Sequence, residues 1–104
     1  MFTLRILGSS SATPAFSRFT SAQVLNYNDR YYLIDCGEGT QMQLQRYKIK
    51  YSRIDALFIS HLHGDHILGV PGLLASLSIF ERNAPLPVYA PAGLKEIIEV
   101  IFKF

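Results

Sequence analysis

The sequence predicts an α/β protein, in which a polar cluster follows a buried strand. Segments typical of strands alternate along the chain with segments typical of helices, and the apolar residues 56–59 are typical of a buried strand. A polar cluster follows that run directly, at residues 60–66. Ligands bind at the ends of strands in open α/β sheets, so this cluster is a candidate ligand-binding site.

Five segments are predicted to be strands because they are short, apolar or alternating, and bounded by turn residues. They are residues 2–7, 21–27, 30–35, 56–59 and 86–90. The small and polar residues 8–18, with Pro14, predict a loop after the first strand. Asn28 and Asp29 predict a two-residue hairpin turn, although they lack the glycine that a type I′ turn prefers. Pro87 predicts either a sheet edge or a strand start.

Three segments are predicted to be helices, at residues 38–47, 73–81 and 94–102. Glu38 suits the positive end of the first helix dipole, and residues 67–74 are predicted to be a loop that enters the second helix. The third has apolar residues at helical spacing from Leu94 onward. Its apolar face still needs a partner where the sequence stops at Phe104. We therefore expect a chain truncated within a helix, with a terminal helix docked on its own core as the alternative.

All three histidines lie in the polar cluster, in the stretch HLHGDH at residues 61–66. Alternate side chains of an extended segment point the same way, so His61 and His63 can reach one metal ion together. Gly64 lets the chain turn sharply, and we expect Asp65 and His66 to face a different direction and serve a second ion. Imidazole and carboxylate suit zinc and similar divalent ions. The alternative is a histidine-rich loop that binds no metal.

This stretch resembles the signature of the metallo-β-lactamase superfamily, and DCGEGTQ at residues 35–41 resembles the ribonuclease Z family within it. The opening LGSSSATP, residues 7–14, is similar to that family's first loop. The resemblance implies an αββα sandwich, two sheets packed face to face with helices outside. Residues 1–104 would form its N-terminal half, a mixed sheet with helices on one side. It also implies a zinc-dependent phosphodiesterase, an endoribonuclease that trims the 3′ end of precursor tRNA by a metal-activated water.

The resemblance assigns roles to four residues of the cluster. His61 and His63 would bind one metal ion, and Asp65 and His66 the other, with Asp65 also acting as the general base. A complete site would hold two Zn²⁺, with other divalent ions as an alternative. The family's remaining ligands, further histidines and a bridging aspartate, belong to the second half of the fold. We therefore expect this chain alone to bind metal weakly and to be inactive.

Two residues outside the cluster are further candidates. Asp35 would hold a ligand histidine or the metal loop in place, or else cap the turn at Gly37. Arg18 could contact a substrate phosphate, or be an ordinary solvated arginine. In the family's first loop a lysine and an asparagine stand where this chain has Phe16 and Phe19.

Composition bounds the compartment and the partners. One cysteine, Cys36, excludes an internal disulfide; we expect it to be a small buried residue, with a zinc ligand as the alternative. No apolar run reaches the roughly 18 residues of a membrane span, and no signal peptide is recognisable. These features fit a cytoplasmic protein without membrane association.

The net charge of +2 permits a nucleic-acid partner. The most basic stretch either contacts phosphate or is a solvated surface; it holds Arg46, Lys48, Lys50 and Arg53. The resemblance implies precursor tRNA as substrate and a homodimer as the working form. Two other functions stay open: a hydrolase of a small substrate with the same fold, and a non-catalytic half-domain that needs its other half.

Overall fold

The computed structural model describes residues 2–9, 20–79 and 84–103, and these form a five-stranded mixed sheet with helices. Its strands are β1 (Phe2–Gly8), β2 (Ala22–Tyr27), β3 (Arg30–Ile34), β4 (Ile54–Phe58) and β5 (Val88–Tyr89). They lie side by side in chain order. The first three pair antiparallel, and β3, β4 and β5 pair parallel. The predicted mixed sheet is confirmed.

The helices are α1 (Thr40–Arg46), α2 (Gly64–Ile67), α3 (Val70–Ile79) and α4 (Leu94–Phe102). A short 3₁₀ turn, Tyr51–Arg53, leads into β4. No helix in residues 2–9, 20–79 or 84–103 is long and apolar enough to cross a bilayer.

Two helix predictions were wrong at their starts. Glu38 lies in the turn before α1, because Gly39 adopts a left-handed conformation (φ 85°) and the helix begins only at Thr40. The predicted loop 67–74 is largely helical, since α3 already begins at Val70. Pro71 is compatible with that start because the first turn of a helix leaves its N–H groups unpaired. The predicted end of this helix, residues 80–81, lies outside the described residues.

Two strands are shorter than predicted. β3 ends at Ile34 because Asp35 leaves the extended conformation, with φ 61°. β5 is confined to Val88–Tyr89, and the carbonyl oxygen of Pro87 accepts a hydrogen bond of 3.0 Å from the backbone N–H of Leu57. Proline cannot donate to a neighbouring strand, so it ends the regular pairing.

The predicted hairpin turn is confirmed. Asn28 and Asp29 both have positive φ, 50° and 65°, as a type I′ turn requires. Asparagine and aspartate adopt this region more readily than other non-glycine residues. The Oδ1 of Asn26 accepts a hydrogen bond of 3.0 Å from the N–H of Asp29 and holds the turn.

The two faces of the sheet differ in cover. On one face Val24, Leu33 and Leu57 are paired across the strands and buried in a cluster with residues of the helices. On the other face, Leu4 pairs with Leu25 and is 54% exposed. The other exposed apolar side chains of this open face are Phe2, Ile6, Tyr27, Phe58 and Tyr89. The core therefore lies between one side of the sheet and the helices.

The unequal cover gives a test with two matched leucines. Leu33→Ala removes a side chain that is 0% exposed and should lower the free energy of unfolding by about 2–5 kcal/mol. Leu4→Ala should lower it by less than about 0.5 kcal/mol. Urea unfolding of both variants at two protein concentrations checks this. Equal losses would mean that the open face is covered in solution.

Candidate metal centre

The polar cluster sits where two parallel neighbouring strands end. Ile34 of β3 is in register with Phe58 of β4, so the chain leaves both strands at the same edge of the sheet. The N–H of Asp35 donates to the carbonyl oxygen of Phe58 at 2.6 Å, and that of Ile59 donates to Tyr89 at 2.8 Å. Asp35 and the residues after Ile59 therefore meet at one edge.

The histidines are arranged by a change from extended chain to helix. His63 is extended (ψ 148°) and caps α2, which begins at Gly64. The imidazoles of His61 and His63 lie side by side, with centroids 6.2 Å apart and planes 17° apart. Between them, Leu62 is half-buried and packs towards the start of α4, since a Cβ placed on Gly93 would lie 3.1 Å from its Cδ1.

Two details of the predicted geometry were wrong. Gly64 is not among the glycines with positive φ; the turn is the entry into a helix and does not need a glycine conformation. His66 of the second pair also does not face away from the first pair. The ring of His66 lies 5.1 Å from that of His61, because the first turn of α2 brings it back over the extended segment.

The carboxylate of Asp35 is the hub of this cluster. Its Oδ1 accepts the backbone N–H of Ser60 at 2.7 Å, and its Oδ2 lies 2.8 Å from Nδ1 of His66. The hydroxyl of Ser60 reaches both oxygens, at 3.0 and 2.8 Å, and that of Ser21 reaches Oδ2 at 3.4 Å. The N–H of Gly37 instead donates to the carbonyl oxygen of Ser21. These contacts favour a carboxylate that holds a histidine over one that caps the turn.

The environment keeps Asp35 ionised. Burial raises the pKa of this carboxyl, but hydrogen bonds from the Ser60 backbone, the His66 side chain and the Ser60 hydroxyl outweigh it, and the pKa is lowered. An ionised carboxylate only accepts, so Nδ1 of His66 carries a hydrogen, and in the neutral imidazole the lone pair is then on Nε2. That Nε2 lies 3.5 Å from Oδ2 of Asp65.

Gly37 allows the loop after β3 to pack against α2. A Cβ at this position would lie 2.6 Å from the carbonyl oxygen of Asp65 and would overlap Thr20. The backbone N–H of Cys36 also donates to the carbonyl oxygen of His66 at 2.8 Å. The loop and the histidine helix are thus joined backbone to backbone.

Cys36 is buried, as predicted, with an exposed fraction of 0%. Burial raises the pKa of its thiol to about 12, the nearby charge of Asp35 adds to this, and a hydrogen bond with Thr40 opposes it. Zinc is bound by the thiolate. The environment of Cys36 therefore disfavours the alternative that it is a metal ligand.

The donors suit zinc in type but not in number. Two atoms that share one zinc ion at about 2.0–2.2 Å are roughly 3.3–3.5 Å apart, and His66 Nε2 and Asp65 Oδ2 meet that spacing, at 3.5 Å. No group of three histidine, cysteine or acidic side chains in residues 2–9, 20–79 and 84–103 could hold one ion. The pairs His61 with His63 and Asp65 with His66 would each need a further ligand.

Sequence reasoning missed Ser60 and Ser21, which complete the Asp35 contacts. The only signal was position, a serine at the end of β4 and another at the start of β2. The position of Arg18 lies outside the described residues, so its role stays a prediction. The basic residues of the most basic stretch are all exposed: Arg46, Lys48, Lys50 and Arg53.

Comparison with known proteins gives one family and several relatives. Residues 2–100 match the family described as anti-Pycsar protein Apyc1. A ribonuclease Z from Bacteroides fragilis is 45% identical over 103 residues, which is 99% of this chain and 34% of that protein. The chain thus spans about a third of the length of the curated relatives it matches.

Solved structures agree on the fold. Human tRNase Z, short form, superposes with a TM-score of 0.89 at 42% identity, covering 99% of this chain and 39% of that one. The metallo-β-lactamase fold protein YhfI from Bacillus subtilis gives 0.81 at 26% identity, covering 90% and 38%. The predicted fold class and the resemblance to ribonuclease Z are confirmed.

Asp35→Asn should destabilise the chain by about 2–3 kcal/mol at pH 7, because it removes the charge from buried hydrogen bonds. The folded-state pKa is lowered, so this stability is present above the unfolded pKa of about 3.9 and lost as the pH falls through the folded pKa. The difference between wild type and variant should therefore shrink below about pH 4.

Urea midpoints from pH 7 to pH 3 measure this difference. Asp55→Asn is the control: its exposed carboxylate accepts one backbone N–H, from Tyr31 at 2.9 Å, and its loss should be smaller. A difference between wild type and Asp35→Asn that is as large at pH 3 as at pH 7 would contradict the role given to the charge.

Cys36 should resist thiol reagents in the folded chain, because it is buried and the thiolate is the reactive form. Labelling by Ellman's reagent at pH 8 should be at least about 100-fold slower than in urea-unfolded chain. The absorbance of the thiolate that the reagent releases is recorded over time and gives the rate of labelling. Fast labelling that stops on addition of zinc would restore the alternative of a cysteine ligand.

Proposed function

The chain belongs to the anti-Pycsar protein Apyc1 family and has the metallo-β-lactamase fold, and from this premise we propose that it is part of a metal-dependent endoribonuclease that trims the 3′ end of precursor tRNA. The observation that carries the proposal is the set of donors gathered around Asp35 at the edge of β3 and β4. Identity of 45% with a ribonuclease Z supports the choice of RNA as substrate.

In this proposal His61 and His63 hold one Zn²⁺, and Asp65 and His66 hold another. The ions, when bound, would lower the pKa of a water and offset the negative charge of a phosphodiester. His66 is prepared by Asp35, which fixes the hydrogen on Nδ1 and leaves Nε2 free to bind. Other divalent ions are compatible with the same donors.

Asp65 would act as the general base. Its side chain is 18% exposed, next to a half-buried His66, so water can reach the carboxylate. The carboxylate would accept a proton from the attacking water. The leaving group is the 3′ trailer of the RNA, and its protonation would fall to residues outside this chain.

The remaining ligands are proposed to come from a longer protein of which this chain forms the N-terminal part. Two features support this: the donor pairs each lack a third ligand, and one face of the sheet exposes apolar side chains such as Leu4 and Phe58. A second sheet packed on that face would bury these apolar side chains. The resemblance to ribonuclease Z supports a homodimer and a cytoplasmic location as further parts of the proposal.

A hydrolase of a small phosphodiester is the second candidate. It is favoured by a solved structure of the same fold, a diphosphatase from the PhnP family, which superposes on this chain with a TM-score of 0.75 at 28% identity. The same donors would serve both substrates, so the two candidates differ in what surrounds the site and not in its ligands. A substrate comparison separates them.

A chimaera tests the proposal. The 103 matched residues of this chain would replace the matching part of the Bacteroides fragilis ribonuclease Z, with which they share 45% identity. With zinc, the chimaera should cleave precursor tRNA at the 3′ end of the mature sequence. Asp65→Ala should lower the rate by about 10²–10⁴-fold, the usual effect of losing a general base. Gel analysis of labelled RNA measures both.

Two controls sharpen this test. Asp55→Ala, at an exposed position on β4 away from the cluster, should leave the rate unchanged. The isolated 104-residue chain, dialysed against metal-free buffer, should hold far fewer than two zinc ions and leave the RNA intact. A folded, zinc-loaded chimaera that cleaves a small phosphodiester but no precursor tRNA would support the second candidate.

A further inference from the structure

Ser60 lies between the carboxylate of Asp35 and the imidazole of His61. Its hydroxyl oxygen is 2.8 Å from Oδ2 and 3.0 Å from Oδ1 of Asp35. The same oxygen is 3.0 Å from Nδ1 of His61. A hydroxyl has one hydrogen to donate and lone pairs to accept with, whereas an ionised carboxylate can only accept. Ser60 must therefore donate to Asp35, which leaves its oxygen to accept a hydrogen from Nδ1 of His61.

His66 reaches the same carboxylate without an intermediate. Its Nδ1 is 2.8 Å from Oδ2 of Asp35, on a side chain that is 20% exposed. By the same count of donors, this Nδ1 also carries a hydrogen. In their neutral forms both imidazoles then keep the lone pair on Nε2, the atom that is available to bind a ligand.

We propose that Ser60 is a positioning residue, which carries the effect of Asp35 to His61 so that one carboxylate fixes the tautomer of two histidines. One of these belongs to each proposed pair of ligands, His61 to the first and His66 to the second. The inference rests on the proposed function only where it names a divalent metal as the ligand. The hydrogen-bond arrangement itself involves only side chains of this chain.

His63 supplies an internal reference. In the described part of the chain the His63 ring forms no side-chain hydrogen bond, although it lies beside His61. In water the neutral imidazole of histidine favours the other tautomer, with the hydrogen on Nε2. Two histidines with Nδ1–H and one with the ordinary preference are therefore expected in a chain that has three.

Nitrogen NMR of the imidazoles tests the inference. The metal-free chain is measured at about pH 8.5, two units above the ordinary pKa of histidine. His→Gln variants assign the three signals. In wild type, His61 and His66 should both carry the hydrogen on Nδ1. In Ser60→Ala, His61 should change towards the other tautomer while His66 stays the same, because Asp35 still contacts His66 directly.

Three variants control for a general structural effect. Ser60→Thr keeps the hydroxyl and should restore the His61 tautomer. Ser21→Ala removes the other hydroxyl on Asp35, at 3.4 Å from Oδ2. In the described part of the chain this hydroxyl forms no hydrogen bond with a histidine, so all three signals should match wild type. If Ser60→Ala fails to fold, Ser60→Cys keeps the shape with a weak donor, and His61 should show a partial change.

Zinc binding gives the second measurement. Zinc is added stepwise to wild type and to each variant. In Ser60→Ala the His61 and His63 signals should change at a zinc concentration about tenfold higher than in wild type. That is the usual effect of losing a group that orients a ligand. Ser60→Thr and Ser21→Ala should resemble wild type.

The outcomes separate the two proposals. An unchanged His61 tautomer in Ser60→Ala overturns the inference, whatever zinc does. A changed tautomer with unchanged zinc affinity overturns the positioning role. A tautomer change as expected, in a chain whose histidines never respond to zinc, supports the hydrogen-bond inference and counts against the proposed metal function.

Discussion

The buried carboxylate of Asp35 is the interaction on which this structure depends most. The residue is 4% exposed and has φ 61°, a left-handed conformation that costs a non-glycine residue of order 1–3 kcal/mol. That conformation ends β3 and turns the side chain across the edge of the sheet towards Ser60 and His66. Hydrogen bonds to a charged group contribute about 1.5–3 kcal/mol each, so the contacts made there are large enough to offset the strain.

The parallel pairing of β3 and β4 explains why the carboxylate finds these partners. Both strands run towards the same edge, and the loop after each begins within one residue of the other in register. The loop after β3 then needs room to pass under α2, and Gly37 supplies it because any side chain would strike the backbone of Asp65. The cluster therefore depends on the pairing of β3 with β4 and on the packing of the loop after β3 against α2, as well as on the histidines themselves.

Local patterns predicted the parts of this fold that local rules decide. Alternation and apolar runs located the strands, Asn28 and Asp29 predicted the turn whose backbone they tolerate, and the spacing from Leu94 onward predicted α4. The errors arose where backbone conformation overrides propensity. Gly39 delays α1 past Glu38, and a single helical turn at Gly64 replaces a turn that was ascribed to glycine flexibility.

The hydrogen bonds of Ser60 and Ser21 were not predictable for a different reason. They join residues 25 and 14 positions away from Asp35, and no period or motif within either segment signals the other. The histidines could be found because their spacing is local, whereas the hydrogen bonds that orient them are formed only when the strands pair.

The sheet and the donor pairs are both incomplete: one face of the sheet is uncovered, and each proposed pair of ligands lacks a third. One face is buried under helices, while the other exposes apolar side chains such as Leu4 and Phe58. At the edge between them, each proposed pair of ligands is one donor short of the three protein ligands that a catalytic zinc ordinarily has. Covering the open face with a second sheet would bring new loops to this edge, because loops follow the ends of strands. A single packing event of that kind would bury the apolar face and complete the proposed metal centre, and it would thereby couple folding to assembly of the site.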